Sequence, residues 1–273
     1  MHRAWRQALT RTRSISALRS AGKIVLEKGS LTGILPVLPH DQDIPNKGFQ
    51  PAEVLSGIRA IRSTKSESSG LAREIRADRE AESFARWTDA KGIFSIEDRA
   101  PQRDDLTGGE HLVTLDLSGE IVYKSTHPGK FGFGADVEMI HPRGRSTRPR
   151  ITAGLVDATP DEYLFRLIHQ NELFGDDIRI MGAASYPQGF SVLTSQPFYK
   201  GTRTEQHLID KWFEALGWEK LPNKDGAFYA PDKDLLIMDA LPRNVLTLED
   251  GKVMPFDVVI VNPSEILKSK LGL

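Results

Sequence analysis

The chain has 273 residues, 39% of them apolar and 27% charged, with a net charge of −1 and no cysteine. That length predicts one two-lobed domain with an arm, or two small domains, and the missing cysteine excludes disulfides, cysteine nucleophiles and thiolate zinc sites. Near-neutral charge excludes a whole-molecule polyelectrolyte partner such as duplex DNA, which needs a basic field. No apolar run approaches the length of a spanning helix, so the expectation is a soluble, cytoplasmic protein without a membrane partner.

Residues 1–68 mix basic residues, Pro36, Pro39, Pro45, Pro51 and the polar tract Ser63 to Gly70. They predict a basic, partly disordered arm with one or two short helices. Arg3, Arg6, Arg11, Arg13, Arg19, Lys23 and Lys28 stand against the single acid Glu27 in the first 30 residues, a composition compatible with nucleic-acid contact. The same Arg- and Ser-rich, acid-poor start has the make-up of an organellar transit peptide, and a solvated basic helix reads alike.

From Leu71, the string LAREIRADREAESFARWTDA predicts a helix ending near Lys91-Gly92, with Leu71, Ile75, Ala81, Phe84 and Trp87 as its buried stripe. Gly92 to Ile96, His111 to Leu115 and Ile121 to Ser125 predict three strands of a small antiparallel meander, punctuated by Gly108-Gly109 and Ser118-Gly119. A Pro-, Gly- and Arg-rich loop is expected through Arg150. Thr159-Pro160-Asp161-Glu162 then supplies an N-cap, a proline at the first helical position and early acids for a helix running to Gly175.

Ile178 to Ala183 and Phe190 to Thr194 predict two further strands, with Ser195 to Gly201 as a connector. Thr204 to Leu216 reads as an amphipathic helix stopped by Gly217. Short strands are expected at Ala227 to Ala230, Leu235 to Met238, Val245 to Leu248 and Lys252 to Phe256, the last two joined by Glu249-Asp250-Gly251 as a hairpin.

The chemistry concentrates between Leu235 and Pro263. Asp239 ends a strand at a loop, Asn244 follows it after five residues, and Asp257 lies thirteen residues further on, across the hairpin. Transfer of a γ-phosphoryl group asks the protein mainly to position a hydroxyl, one or two Mg²⁺ ions and cations on the phosphates. Asp239 is the candidate base for the hydroxyl proton; Asn244 and Asp257 are candidate hard-oxygen ligands for Mg²⁺. Lys124, at the end of the third strand, is the candidate phosphate cation. Gly108-Gly109 could let backbone approach phosphates. Glu162 and Glu172 are the candidates for an acid to hold Lys124, Glu162 being equally suited to pair Arg166 or to complement the helix dipole.

With those residues in view, the chain resembles the protein-kinase-like superfamily, and more narrowly the serine/threonine/tyrosine kinase domain of polyvalent proteins from phages and other mobile elements. The resemblance rests on GGEHLV, EIVYKST followed by PGKFGF, PDEYLFRLIHQNELFGDDIRI, TSQPFYKG, and MDALPRNVL with PFDVV, over Leu106 to Pro263. It implies an α+β, kinase-like two-lobed fold. Residues 69–201 would form an N-lobe with an antiparallel sheet, and 202–273 a minimal C-lobe. It also implies ATP and Mg²⁺ as cofactors and an unidentified protein substrate.

By the same resemblance Gly108, Gly109 and Val113 would cover the nucleotide, Lys124 would contact its phosphates with Glu162 as partner, and Thr194, Ser195, Gln196 and Pro197 would form the hinge beside adenine. Asp239 would be the catalytic base, with Asn244 and Asp257 as metal ligands. Ile237-Met238 replaces the usual His-Arg before the base, Leu241 replaces the lysine after it, and the metal motif reads Asp257-Val258-Val259. Those losses, and the short run after Asp257, also favour an alternative: a nucleotide-binding regulatory module without turnover. A small-molecule kinase shares the Asp and Asn spacing but would need a larger helical C-lobe.

Overall fold

A computed structural model describes residues 48–62, 73–97, 108–116, 120–140 and 150–273. The basic first 47 residues, and with them the nucleic-acid and transit-peptide expectations, lie outside the described residues, as do the 63–70 tract, Leu71, Ser118-Gly119 and residues 141–149. The architecture is α+β. Among the described residues no helix is long and apolar enough to cross a membrane.

The first layer is a five-stranded sheet built from β1 (Phe94–Ile96), β2 (His111–Leu115), β3 (Ile121–Thr126), β6 (Arg179–Tyr186) and β7 (Gly189–Pro197), in the order β1-β6-β7-β3-β2. The expected meander is only half formed. β2 and β3 pair antiparallel, but β1 lies at the opposite edge and runs parallel to β6. Helices α1 (Pro51–Arg62), α2 (Arg73–Ala90) and α3 (Pro160–Phe174) cover this sheet. Val54 and Ile58, Phe84 and Trp87, and Tyr163 and Leu164 from the three helices close one core with Ile180 and Val192. α1 therefore belongs to the folded body rather than to an arm. On α2 the stripe is Ala81, Phe84 and Trp87, whereas Ile75 is exposed.

The segment read as a loop contains a long hairpin, β4 (Phe133–Ile140) with β5 (Arg150–Asp157). Its signal was present as period-two alternation, Phe133, Ala135 and Val137 against Gly134, Asp136 and Glu138. These apolar residues, with Ala153 and Leu155, pack on Leu236, Met238, Val259 and Leu267.

The remaining strands are β8 (Gly201–Arg203), β9 (Glu219–Lys220), β10 (Phe228–Ala230), β11 (Leu235–Met238), β12 (Val245–Leu248), β13 (Val253–Pro255) and β14 (Val259–Val261). They form a four-stranded sheet, β14-β11-β10-β9, and a three-stranded sheet, β13-β12-β8. α4 (Gln206–Ala215) buries Ile209 and Phe213 in a second core with Phe228, Ile237, Val245 and Met254. A short C-terminal helix, α5 (Glu265–Leu271), is capped by Ser264, whose side chain accepts from the Leu267 amide. α3 serves two cores: Tyr163, Leu164 and Leu167 face the first, while Phe165 and Phe174 face the second.

Candidate functional site

The site is built where β11 ends and β14 begins. Their antiparallel register pairs Met238 with Val259, so Asp239, one residue past β11, and Asp257, two residues before β14, stand at the same end of the pair. Asp239 has a φ of 61°, a left-handed conformation that a non-glycine residue adopts only where its surroundings hold it. Here the hold is local. The Asn244 side-chain nitrogen donates to both the backbone oxygen and Oδ2 of Asp239, each at 2.8 Å, and the Leu241 amide donates to the Asp239 carbonyl. Asn244 also accepts at its carbonyl from the Phe256 amide at 3.0 Å, which ties this loop to the segment carrying Asp257.

Lys124 comes from β3, where it pairs in register with Val113 of β2 on one side and Thr194 of β7 on the other. Its Nζ lies 3.5 Å from Asp257 Oδ1. Two residues more than a hundred positions apart, both named from the sequence, thus meet in one cleft. The cleft has a volume of about 320 Å³ with its open mouth included, and Thr194 and Gln196 line it together with Lys124 and Asp257.

Three residues that the sequence left unassigned complete it. Arg166 of α3 donates from Nη2 to Asp257 Oδ1 at 3.0 Å, from Nη1 to Glu110, and from Nε to the Val258 carbonyl at 2.8 Å. Glu110, directly after the glycine pair, also accepts from the Phe133 amide at 2.9 Å. His111 is buried, and its Nε2 shares a hydrogen bond with the Tyr163 hydroxyl at 3.1 Å. The available signal was an arginine set among Tyr163, Leu167 and Gln170 on the apolar face of a helix, since such a charge is rarely buried without a partner.

Charge and burial oppose each other across the cleft. Burial would lift the Asp257 carboxyl, but Lys124 and then Arg166 outweigh it and hold the group well below the usual carboxylate range. Burial lifts Asp239 above its ordinary value and the Asp257 charge acts the same way, against Arg243 and the Asn244 amide. Arg243 forms an ion pair with Asp239 Oδ1. Burial pushes the His111 imidazole down to about 3, with Lys124 and Arg166 adding to the shift and Asp257 opposing it, so the ring is neutral at ordinary pH.

Several expectations need correction. Glu162 does not hold Lys124: its carboxylate pairs with Arg73 and Arg76 and, from the third position of the helix, accepts from the Thr159 amide to complete a capping box. Glu172 pairs with His169. Gly108 and Gly109 do not turn a hairpin between adjacent strands, because β1 and β2 lie at opposite sheet edges. They lead into the edge strand β2, with open space at both Cβ positions. The hinge residues Thr194, Ser195, Gln196 and Pro197 are not a free connector. β7 stays paired with β3 through Pro197, and the next amide, Phe198, donates to the Glu120 carbonyl at 2.8 Å.

Mg²⁺ takes hard oxygen donors and retains several of its waters. Asp257, Asp239 and the amide oxygen of Asn244, whose nitrogen is committed to Asp239, are a donor set of that kind. Among the described residues no three His, Asp or Glu side chains converge as a complete metal cage. With such a set, water or phosphate oxygens would have to supply the remaining ligands of an ion. Comparison of the chain with family models, with curated proteins and with solved structures gave no match.

Proposed function

We propose that this chain is a phosphotransferase of protein-kinase-like, two-lobed build that takes ATP with Mg²⁺ and delivers the γ-phosphoryl group to a protein hydroxyl. The observation that carries the reading is the meeting of Lys124 with Asp257 at 3.5 Å beside the Asp239–Asn244 loop. The strand order supports it as well, since the lysine strand β3 adjoins β7 and β7 adjoins β6, with α3 between β3 and β6 in the chain. The loop, hairpin and second acid follow in the sequence of parts that a kinase uses.

In this reading Lys124, on a flexible stem, turns from Asp257 to the nucleotide phosphates. Asp239 accepts the proton of the acceptor hydroxyl, and its raised proton affinity suits that role. Asn244 fixes the Asp239 carboxylate in orientation through Oδ2. Asp257 and the Asn244 amide oxygen would hold Mg²⁺, which when bound neutralises charge on the β- and γ-phosphate oxygens. Leu241 leaves the loop without the usual lysine, and Arg243, already on Asp239, is the cation nearest in sequence.

A second reading, a nucleotide-binding module without turnover, is favoured by two observations: the cation on Asp257 from α3 is an arginine, and the glutamate expected on Lys124 is engaged elsewhere. Incubation with γ-labelled ATP and Mg²⁺ distinguishes the two. Label should pass to the protein itself or to a lysate protein, and Asp239→Asn should abolish that transfer. Transfer undiminished in the variant would sink the phosphotransferase assignment. A thermal shift with Mg·ATP that disappears in Asp257→Ala, but without transfer, favours the second reading, and no shift at all removes both.

A further inference from the structure

Arg166 differs from every other cation in the cleft in how firmly it is held. Its side chain is 4% exposed, and all three of its nitrogens are anchored: Nε on the Val258 carbonyl, Nη1 on Glu110 and Nη2 on Asp257. Glu110 is itself fixed by the Phe133 amide. A planar guanidinium braced on main chain and carboxylate keeps its geometry, whereas a lysine on four methylenes can move off. Lys124 can vacate Asp257 when phosphates arrive; Arg166 cannot without breaking two other bonds.

We propose that Arg166 is a resident cation competing with Mg²⁺ for Asp257, so that it sets the metal affinity of the cleft, with Glu110 setting how strongly it competes. This deepens the reading of Asp257 as the metal acid and rests on it. The physical ground is Coulombic. A fixed positive charge 3.0 Å from the carboxylate oxygen repels an incoming dication in a partly desolvated site, where screening is weak. Glu110 offsets that charge from the other side. Removing Arg166 should therefore tighten metal binding, and removing the charge of Glu110 should weaken it. A purely structural brace on Asp257 would give the opposite result for Arg166, since losing the brace would loosen the site.

The test is direct Mn²⁺ binding, with Mn²⁺ standing in for Mg²⁺, read by electron paramagnetic resonance on the full chain without nucleotide. Arg166→Gln should bind Mn²⁺ on the order of tenfold more tightly than the unmodified protein. Glu110→Gln should bind it several-fold more weakly, and Arg166→Lys, whose unbraced ammonium can move off Asp257, should fall between the unmodified protein and Arg166→Gln. Arg166→Gln binding no better, or Mn²⁺ binding undetectable in every variant, overturns the proposal. Should Arg166→Gln fail to fold, Glu110→Gln decides: affinity equal to or above that of the unmodified protein overturns it. The double variant Arg166→Gln with Asp257→Ala must lose the gained binding. If it does not, Asp257 is not the metal acid and the underlying reading fails, an outcome separate from the failure of the competition itself.

Discussion

Asp239 illustrates what a single residue has to satisfy at this site. Its left-handed backbone is held because the Asn244 side-chain nitrogen donates both to its backbone carbonyl and to its carboxylate Oδ2. The acid–amide spacing was readable because both partners lie within one loop of six residues. Arg166 was not, since its partners Glu110 and Asp257 are 56 and 91 positions away. Lys124 is the residue whose removal separates binding from folding. Arg166 still compensates Asp257 in its absence, so Lys124→Met should change the stability of the unliganded protein by no more than about 1 kcal/mol. The Mg·ATP-induced thermal shift should nevertheless be lost. Scanning fluorimetry with and without Mg·ATP reads both quantities, and a retained shift would remove Lys124 from the phosphate site.

At the scale of elements, the contrast lies between local and distant signals. α3 carries a complete capping box at Thr159 and Glu162, with Pro160 at its first turn and Gly175 left-handed at its end with a φ of 68°. Each of these is written within four residues of the helix end it serves, so its boundaries were legible. Thr159→Ala should cost about 1 kcal/mol, seen as a lowered urea midpoint with unchanged m-value. α5 carries the same kind of marks, Ser264 at its start and Gly272 left-handed at its end with a φ of 78°, but at seven residues they do not by themselves hold a helix. Its existence depends on Leu267, which is fully buried against Leu236, Met238 and Val259. Leu267→Ala should cost about 2–5 kcal/mol, and a loss below ~1 kcal/mol would show that α5 adds little to that core.

The whole molecule responds to pH through groups that burial in the folded chain perturbs. His111 in the unfolded chain takes a proton near its ordinary value of 6.5, whereas the folded one resists until about pH 3, burial being the first cause and Lys124, Arg166 and His127 adding to it. Between those values the folded state binds fewer protons, so stability is full above pH 6.5 and falls as the pH drops toward 3. Half-buried His169 acts with the same sign, while Asp257, held low, adds its own loss only below the ordinary carboxylate range. The urea midpoint should decline from pH 7 to pH 5, and His111→Gln should flatten most of that slope. An unchanged slope in the variant would mean that the imidazole is not the group responsible.

The sequence by itself determined the helices α2, α3 and α4, the 245–255 hairpin and the Asp239–Asn244–Asp257 series, because caps, turns and periodic apolar patterns act over a few residues. The tertiary structure alone decided that β1 pairs parallel with β6, that the β4–β5 hairpin packs on a second sheet, and that Glu162 answers to Arg73 and Arg76. It also decided that an arginine stands on Asp257. Those outcomes depend on which surfaces meet after the chain has closed on itself, where burial and ion pairing between distant residues outweigh local propensity.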